Sequence, residues 1–107
     1  MIGILKKLLG IDDDRLMQAL REGAFLVDVR SRAEFAEGSV QDCINIPMDE
    51  VPDHLPEFEH EKNIIVFCRS GHRSDQVKKF LEQQGLTNVL NGGSWQNVSA
   101  LLTQASR

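Results

Sequence analysis

Cys68 is followed by Arg69-Ser70-Gly71-His72-Arg73-Ser74, and it follows directly on the apolar run Ile64-Ile65-Val66-Phe67. A free cysteine is commonly a small buried hydrophobe, and that is the plain reading of any cysteine met alone. Here the six residues after it are small, cationic or hydroxyl-bearing; they cannot prolong a hydrophobic strand, yet they lead into a helical pattern. A loop this polar faces solvent. If the chain curls around Cys68, the backbone N–H groups of Arg69 through Ser74 converge on the sulfur and on a bound anion, forming a nest at a helix N-terminus. Arg69, His72 and Arg73 add positive potential, which favours thiolate over thiol and moves the pKa down from a reference of about 8.5. The chemistry predicted is that of a nucleophilic cysteine inside an anion-binding loop.

Each loop residue also has a plainer role. Gly71 serves either a positive φ with close backbone approach to a ligand or an ordinary turn. Ser70 and Ser74 either donate to the anion or cap the following helix, with the two roles evenly matched for Ser74. Arg69 and Arg73 either bind ligand or solvate the loop; Arg73 lies nearer the helix start, where an anion rests, and is the better candidate for a direct charge role. His72 is a base for the cysteine or a solvent-facing cation, because four positions of loop do not fix its direction. Cys43, beside Ile44, reads as a core or edge cysteine, with an auxiliary thiol as the alternative. Cys43, Cys68, His54, His60 and His72 form neither a CxxC nor an HExxH unit, so no metal site is expected, and no cofactor is implied.

The elements that must position this loop follow from periodicity. Asp12 is placed to cap a helix carrying Leu16, Ala19 and Leu20, and Gly23 breaks it before the strand Ala24-Phe25-Leu26-Val27-Asp28-Val29. Consecutive apolar residues there indicate burial on both faces, hence parallel pairing under helices. Ser31-Arg32-Ala33-Glu34 has the spacing of a capping box, opening a short helix ended by Gly38. Cys43-Ile44-Asn45-Ile46 is a brief strand stopped by Pro47. Met48 to Glu61, with Pro52, Pro56 and many acidic residues, reads as loop with a short helical turn. Ile64 to Phe67 is the clearest buried strand. Val77, Phe80 and Leu81 give the next helix its apolar face, and Gly85 suits its end. Asn88-Val89-Leu90 forms a last strand, Asn91-Gly92-Gly93 turns it, and Ser94 caps a terminal helix bearing Trp95, Val98 and Leu102. Strands alternating with helices predict an α/β domain with a mainly parallel sheet flanked by helices on both faces. Ligands in such folds bind outside the carboxyl ends of the strands, where Cys68 stands.

At 107 residues the chain is expected to be one domain, 1–107, with 1–11 as a short N-terminal helical extension. That extension reads as an amphipathic helix packed on the domain, with a peripheral membrane or partner contact, or a frayed end, as alternatives. Its internal lysines make a poor signal peptide. No apolar run approaches the roughly 20 residues that span a bilayer, so a cytoplasmic protein without stable membrane insertion is expected. Twelve Lys plus Arg against 16 Asp plus Glu give a net charge of -4, which disfavours nucleic acid as a partner. A local basic cluster remains free to hold a small anion.

The motifs Leu26-Val27-Asp28-Val29-Arg30, Glu34-Phe35, Gly38, Ile44-Asn45-Ile46-Pro47, Val66-Phe67-Cys68-Arg69-Ser70-Gly71-His72-Arg73-Ser74 and Leu90-Asn91-Gly92-Gly93 together resemble a single-domain rhodanese. The resemblance runs from about Asp12 to Leu102. It implies a rhodanese-like fold and a thiosulfate sulfurtransferase activity in which Cys68 takes sulfane sulfur from a thiosulfate-like donor, carries it as a persulfide, and yields it to cyanide, a thiol or a protein acceptor. It further implies that Arg69 through Arg73 cradle the persulfide or a small sulfur-containing anion. Asp28 and Arg30 correspond to the family's strand-end pair, with Arg30 bracing the loop region through acidic partners such as Glu34. Ser39 stands where a histidine is common, and Asp42-Cys43 replaces Gly-Ala.

Two other functions compete. A tyrosine-phosphatase loop requires Cys-x5-Arg; here the fifth position after Cys68 is Arg73 and the sixth is Ser74, so the spacing rejects it. The rival from another class is a noncatalytic rhodanese-like module that binds or regulates a protein, against which the retained Cys68 and its full loop argue.

Overall fold

The computed structural model describes residues 2–107. Four parallel strands, β1 (Phe25–Asp28), β2 (Ile44–Asn45), β3 (Ile64–Cys68) and β4 (Val89–Ser94), form one sheet in the order β2-β1-β3-β4. Among the described residues six α-helices accompany them: α1 (Ile2–Leu8), α2 (Asp13–Glu22), α3 (Arg32–Ala36), α4 (Leu55–Phe58), α5 (His72–Gln83) and α6 (Trp95–Ala105). The α/β class and the parallel sheet are those that the alternating pattern predicts.

Side-chain alternation along β3 divides the core into two layers. Ile64, Val66 and Cys68 point to one face, against Val51, Phe58, Val77 and Leu81; Ile65 and Phe67 point to the other, against Leu16, Ala19, Leu20, Val98 and Leu101. Helices therefore cover both faces, α5 with α4 on one side and α2 with α6 on the other, which is why β3 is apolar at every position. The helix starts are chemically marked as the sequence predicts. Asp12 accepts from the N–H groups of Asp14 and Arg15, Ser31 and Glu34 complete a reciprocal capping box, and Ser94 accepts from Asn97 N–H.

Three expectations are corrected. Met48 to Glu61 is more ordered than a loop: a 3₁₀ helix, Met48–His54, runs into α4. Charge and proline suggest a loop locally, but burial of Val51 and Phe58 anchors the segment, and Pro56 stands in the first turn of α4, where a proline is tolerated. Asn91-Gly92-Gly93 is not a turn; β4 continues through it to Ser94, with a register shift in which Val66 pairs Asn91 and Phe67 pairs Gly93. The glycines there serve close packing, since a Cβ on Gly92 would lie 2.5 Å from Val98 Cγ2. The apolar residues Ile4 and Leu8 of α1 do not pack on the domain: Ile4 is 65% and Leu8 79% exposed. The helix is tied down by Lys6, which donates to Asp13 and Asn97, and the chain after it by Leu9 and Ile11. Among the described residues no helix is long and apolar enough to cross a membrane.

Candidate functional site

Cys68 is the last residue of β3 and is 1% exposed. Three residues later Gly71 turns the chain with φ +102° and occupies the N-cap of α5. A left-handed φ favours glycine, and space demands it as well: a Cβ would meet Leu9 Cδ1 at 3.0 Å. The turn brings Gly71 N–H to 3.1 Å from Cys68 Sγ, and the first turn of α5 brings Ser74 Oγ to 3.4 Å. Burial works to raise the Cys68 pKa; the Ser74 hydroxyl and the backbone N–H groups of Ser74, Ser70 and Gly71 outweigh it, and the thiol is held below its ordinary value. The loop is a set of donors around one sulfur at a helix N-terminus.

The six residues after Cys68 separate by position. Arg69, Ser70 and His72 are exposed at the rim. Ser74 does not cap the helix, because Gly71 holds that place; instead it is buried beneath the sulfur. Arg73 is not a free anion ligand. Its two terminal nitrogens donate to the two Glu34 carboxylate oxygens at 2.8 and 3.0 Å. That pairing with the Arg73 guanidinium is the largest cause that holds the Glu34 carboxyl down at about 2.

Arg30 does not brace the loop through Glu34. Its guanidinium donates to the carboxylate of Asp28, two residues earlier, at 2.8–3.0 Å, and to Gly38 O at 2.6 Å. Trp95 lies under it, with the guanidinium carbon 5.4 Å from a ring centroid. Asp28 is 0% and Arg30 5% exposed, so each is the other's counter-charge. Glu34 is left free for Arg73. Ser39 donates to Asp28 Oδ2 at 2.6 Å and sits 3.2 Å from Cys43 Sγ. Cys43 is packed at the margin of the second core layer, and its burial pushes its thiol pKa up. Burial works on both sulfurs; at Cys68 the surrounding donors outweigh it, and at Cys43 they do not. Asp42 carries φ +66°, a conformation that aspartate tolerates better than most residues.

Asn91 is the site residue that sequence reasoning missed. Buried in β4, it donates to Gly71 O at 3.1 Å and to Leu9 O at 3.3 Å, and accepts from Ser74 Oγ at 2.7 Å. Its only sequence signal was a polar residue directly after an apolar strand. Beside Arg69, a groove of about 340 Å³ is lined by Arg30, Glu34, Glu37, Gly38 and Trp95 among others.

The sheet is parallel, and its third strand ends on a cysteine surrounded by donors at a helix start. Residues 12–100 match the Rhodanese-like domain family, and the chain belongs to it. A relative named sulfurtransferase from Allochromatium vinosum is 40% identical over 83 residues, covering 76% of this chain and 78% of the relative. The thiosulfate sulfurtransferase PspE of Escherichia coli is 33% identical over 75 residues, covering 68% of this chain and 72% of PspE. Among solved structures, a rhodanese with anions from E. coli superposes with a TM-score of 0.64 at 32% identity, covering 70% of this chain and 91% of that one.

Proposed function

We propose that the protein is a rhodanese-type sulfurtransferase in which Cys68 carries the sulfur. The observation that bears most weight is the buried sulfur of Cys68 with Gly71 N–H at 3.1 Å and Ser74 Oγ at 3.4 Å. Donors so placed stabilise a thiolate and, one bond further out, the terminal sulfur of a persulfide. The Cys68 thiolate attacks the sulfane sulfur of a thiosulfate-like donor; the donor's S–S bond breaks and sulfite leaves with its electron pair. The persulfide's outer sulfur is then attacked by cyanide, a thiol or an acceptor protein, which returns Cys68 as thiolate. This is double-displacement catalysis through a covalent intermediate.

In this reading Ser70, Gly71 and Ser74 contribute donors, Arg69 and His72 attract the anion at the rim, and Arg73 acts at longer range. Glu34 supports the loop through Arg73, while Asp28 and Arg30 hold each other at the end of β1. The chain works as one unit over 1–107, with 1–11 as its helical extension. Two free cysteines accord with a cytoplasmic, reducing setting. The test is intact mass after incubation with thiosulfate: the parent gains one sulfur and Cys68→Ser gains none. Absence of a Cys68-dependent adduct in the folded protein would overturn the reading and leave a noncatalytic binding module.

A further inference from the structure

The Asn91 carboxamide, 1% exposed, has all its hydrogen-bonding capacity engaged. Its Nδ2 donates to the carbonyls of Gly71 (3.1 Å) and Leu9 (3.3 Å); its Oδ1 accepts from Gly93 N–H (3.0 Å) and from the Ser74 hydroxyl (2.7 Å). Two carbonyls on one side and a backbone N–H on the other permit only one orientation of the amide. The acceptor facing Ser74 is therefore fixed.

Ser74 has one hydroxyl proton and two acceptors within reach, Asn91 Oδ1 at 2.7 Å and Cys68 Sγ at 3.4 Å. While Cys68 is a thiol, the hydroxyl donates to Oδ1 and its oxygen is open to the S–H. Once the thiol proton has left to solvent, the sulfur is an acceptor only, and a hydrogen bond to a charged sulfur is stronger than one to a neutral amide. Rotation about the Ser74 Cβ–Oγ bond then turns the proton to the sulfur. No O–H bond breaks. Oδ1 keeps Gly93 N–H, so the turn leaves no buried group without a partner.

We propose that Asn91 is a positioning residue for the reacting sulfur, holding the Ser74 hydroxyl proton while Cys68 is a thiol and releasing it when the sulfur carries charge. The inference rests on Cys68 as the reacting residue and adds the competition that sets how readily its thiolate forms. Loop placement does not depend on Asn91 alone, because Gly71 O also accepts from Asp75 N–H at 3.0 Å within α5. Replacing Asn91 with an apolar residue thus frees the hydroxyl for the sulfur, and the thiolate forms at lower pH.

The experiment uses the full chain carrying Cys43→Ser, so that Cys68 alone titrates, and follows thiolate ultraviolet absorbance and iodoacetamide alkylation against pH. Asn91→Leu is expected to lower the midpoint by about half a pH unit or more, the size of one ordinary hydrogen bond. Ser74→Ala raises it. In the Ser74→Ala background, Asn91→Leu moves the midpoint by less than about 0.2 pH unit, because the two residues act through the same proton. An equal shift in both backgrounds, no shift, or an upward shift with Ser74 present would overturn the proposal. Should Asn91→Leu fail to fold by circular dichroism, Asn91→Ala carries the same comparison. Neither readout needs a sulfur donor, so failure here is distinct from failure to form the persulfide.

Discussion

Arg73 and Glu34, 39 residues apart in the chain, meet in a two-pronged pair that commits both terminal nitrogens of the guanidinium. One partner lies in the first turn of α5 beside Cys68 and the other in the first turn of α3. The pair therefore fastens the cysteine loop to the segment following β1. Arg73→Ala is expected to lower a thiosulfate–cyanide rate by about tenfold, well short of the loss from Cys68→Ser, because a charge acting from a distance stabilises less than a direct donor. Glu34→Ala should fall within about threefold of Arg73→Ala, and the double variant should be no slower than the worse single one, as for two residues sharing one interaction. Additive losses in steady-state rates would show that Arg73 works independently of Glu34.

The same pair gives an acid sensitivity of definite sign. The Glu34 carboxyl is held down at about 2 in the folded chain, against 4.5 ordinarily. A lowered folded-state pKa contributes stability that is fully present above the ordinary value and is lost as pH falls toward the folded one. The loss should set in near pH 4.5 and finish only below about 2, the pKa of the folded chain. Partial exposure of both side chains limits the contribution to about 1 kcal/mol. Urea unfolding of the parent and Glu34→Gln across that range should show a difference that shrinks toward zero at its acid end.

Asp28 and Arg30 form a different kind of pair, buried and further bonded to Ser39 and Gly38. Asp28→Ala leaves a buried guanidinium without a counter-charge and should cost about 3–5 kcal/mol in equilibrium unfolding. Asp28→Ala with Arg30→Met should recover a large part of that, because the uncompensated charge is gone. Ser39→Ala removes one hydrogen bond to the carboxylate, at about 1 kcal/mol.

Gly92 is placed for packing against α6. Gly92→Ala brings a methyl group to 2.5 Å from Val98 Cγ2 and 3.0 Å from Ile65 Cγ2, an overpacking worth about 1–3 kcal/mol. Combining it with Val98→Ala opens the space, so the second substitution should cost less beside Gly92→Ala than alone. Thermal unfolding of the four chains measures this coupling; simple additivity would refute the contact.

What the sequence made legible was local. Asp12, Ser31 with Glu34, and Ser94 announce helix starts through groups two or three positions away, and the apolar runs at Phe25 and Ile64 require only burial on two faces. Cys68 and its loop were legible for the same reason, as an abrupt change of chemistry at a strand end. The partnerships were not legible. Nothing local distinguishes Arg30 from Arg73 as the partner of Glu34; that choice is made by β1, which sets Arg30 back over its own Asp28. Asn91-Gly92-Gly93 has turn composition, and only the apposed β3 converts it into strand, hiding a buried polar residue inside what reads as a bend. The run from Met48 was obscured by charge and proline, although two buried side chains, Val51 and Phe58, suffice to anchor it.

Leu9 and Ile11 rest against Gly71 and Gly93, and both lie ahead of the 12–100 span matched to the family. The wall behind the sulfur is thus partly supplied by chain outside that shared span. A protein built this way has an adjustment screw outside the loop itself: altering the bulk of residue 9 or 11 presses or relaxes the glycine turn without substituting any residue of the loop. The character of the sulfur can drift with a segment that comparison of the domain alone leaves out.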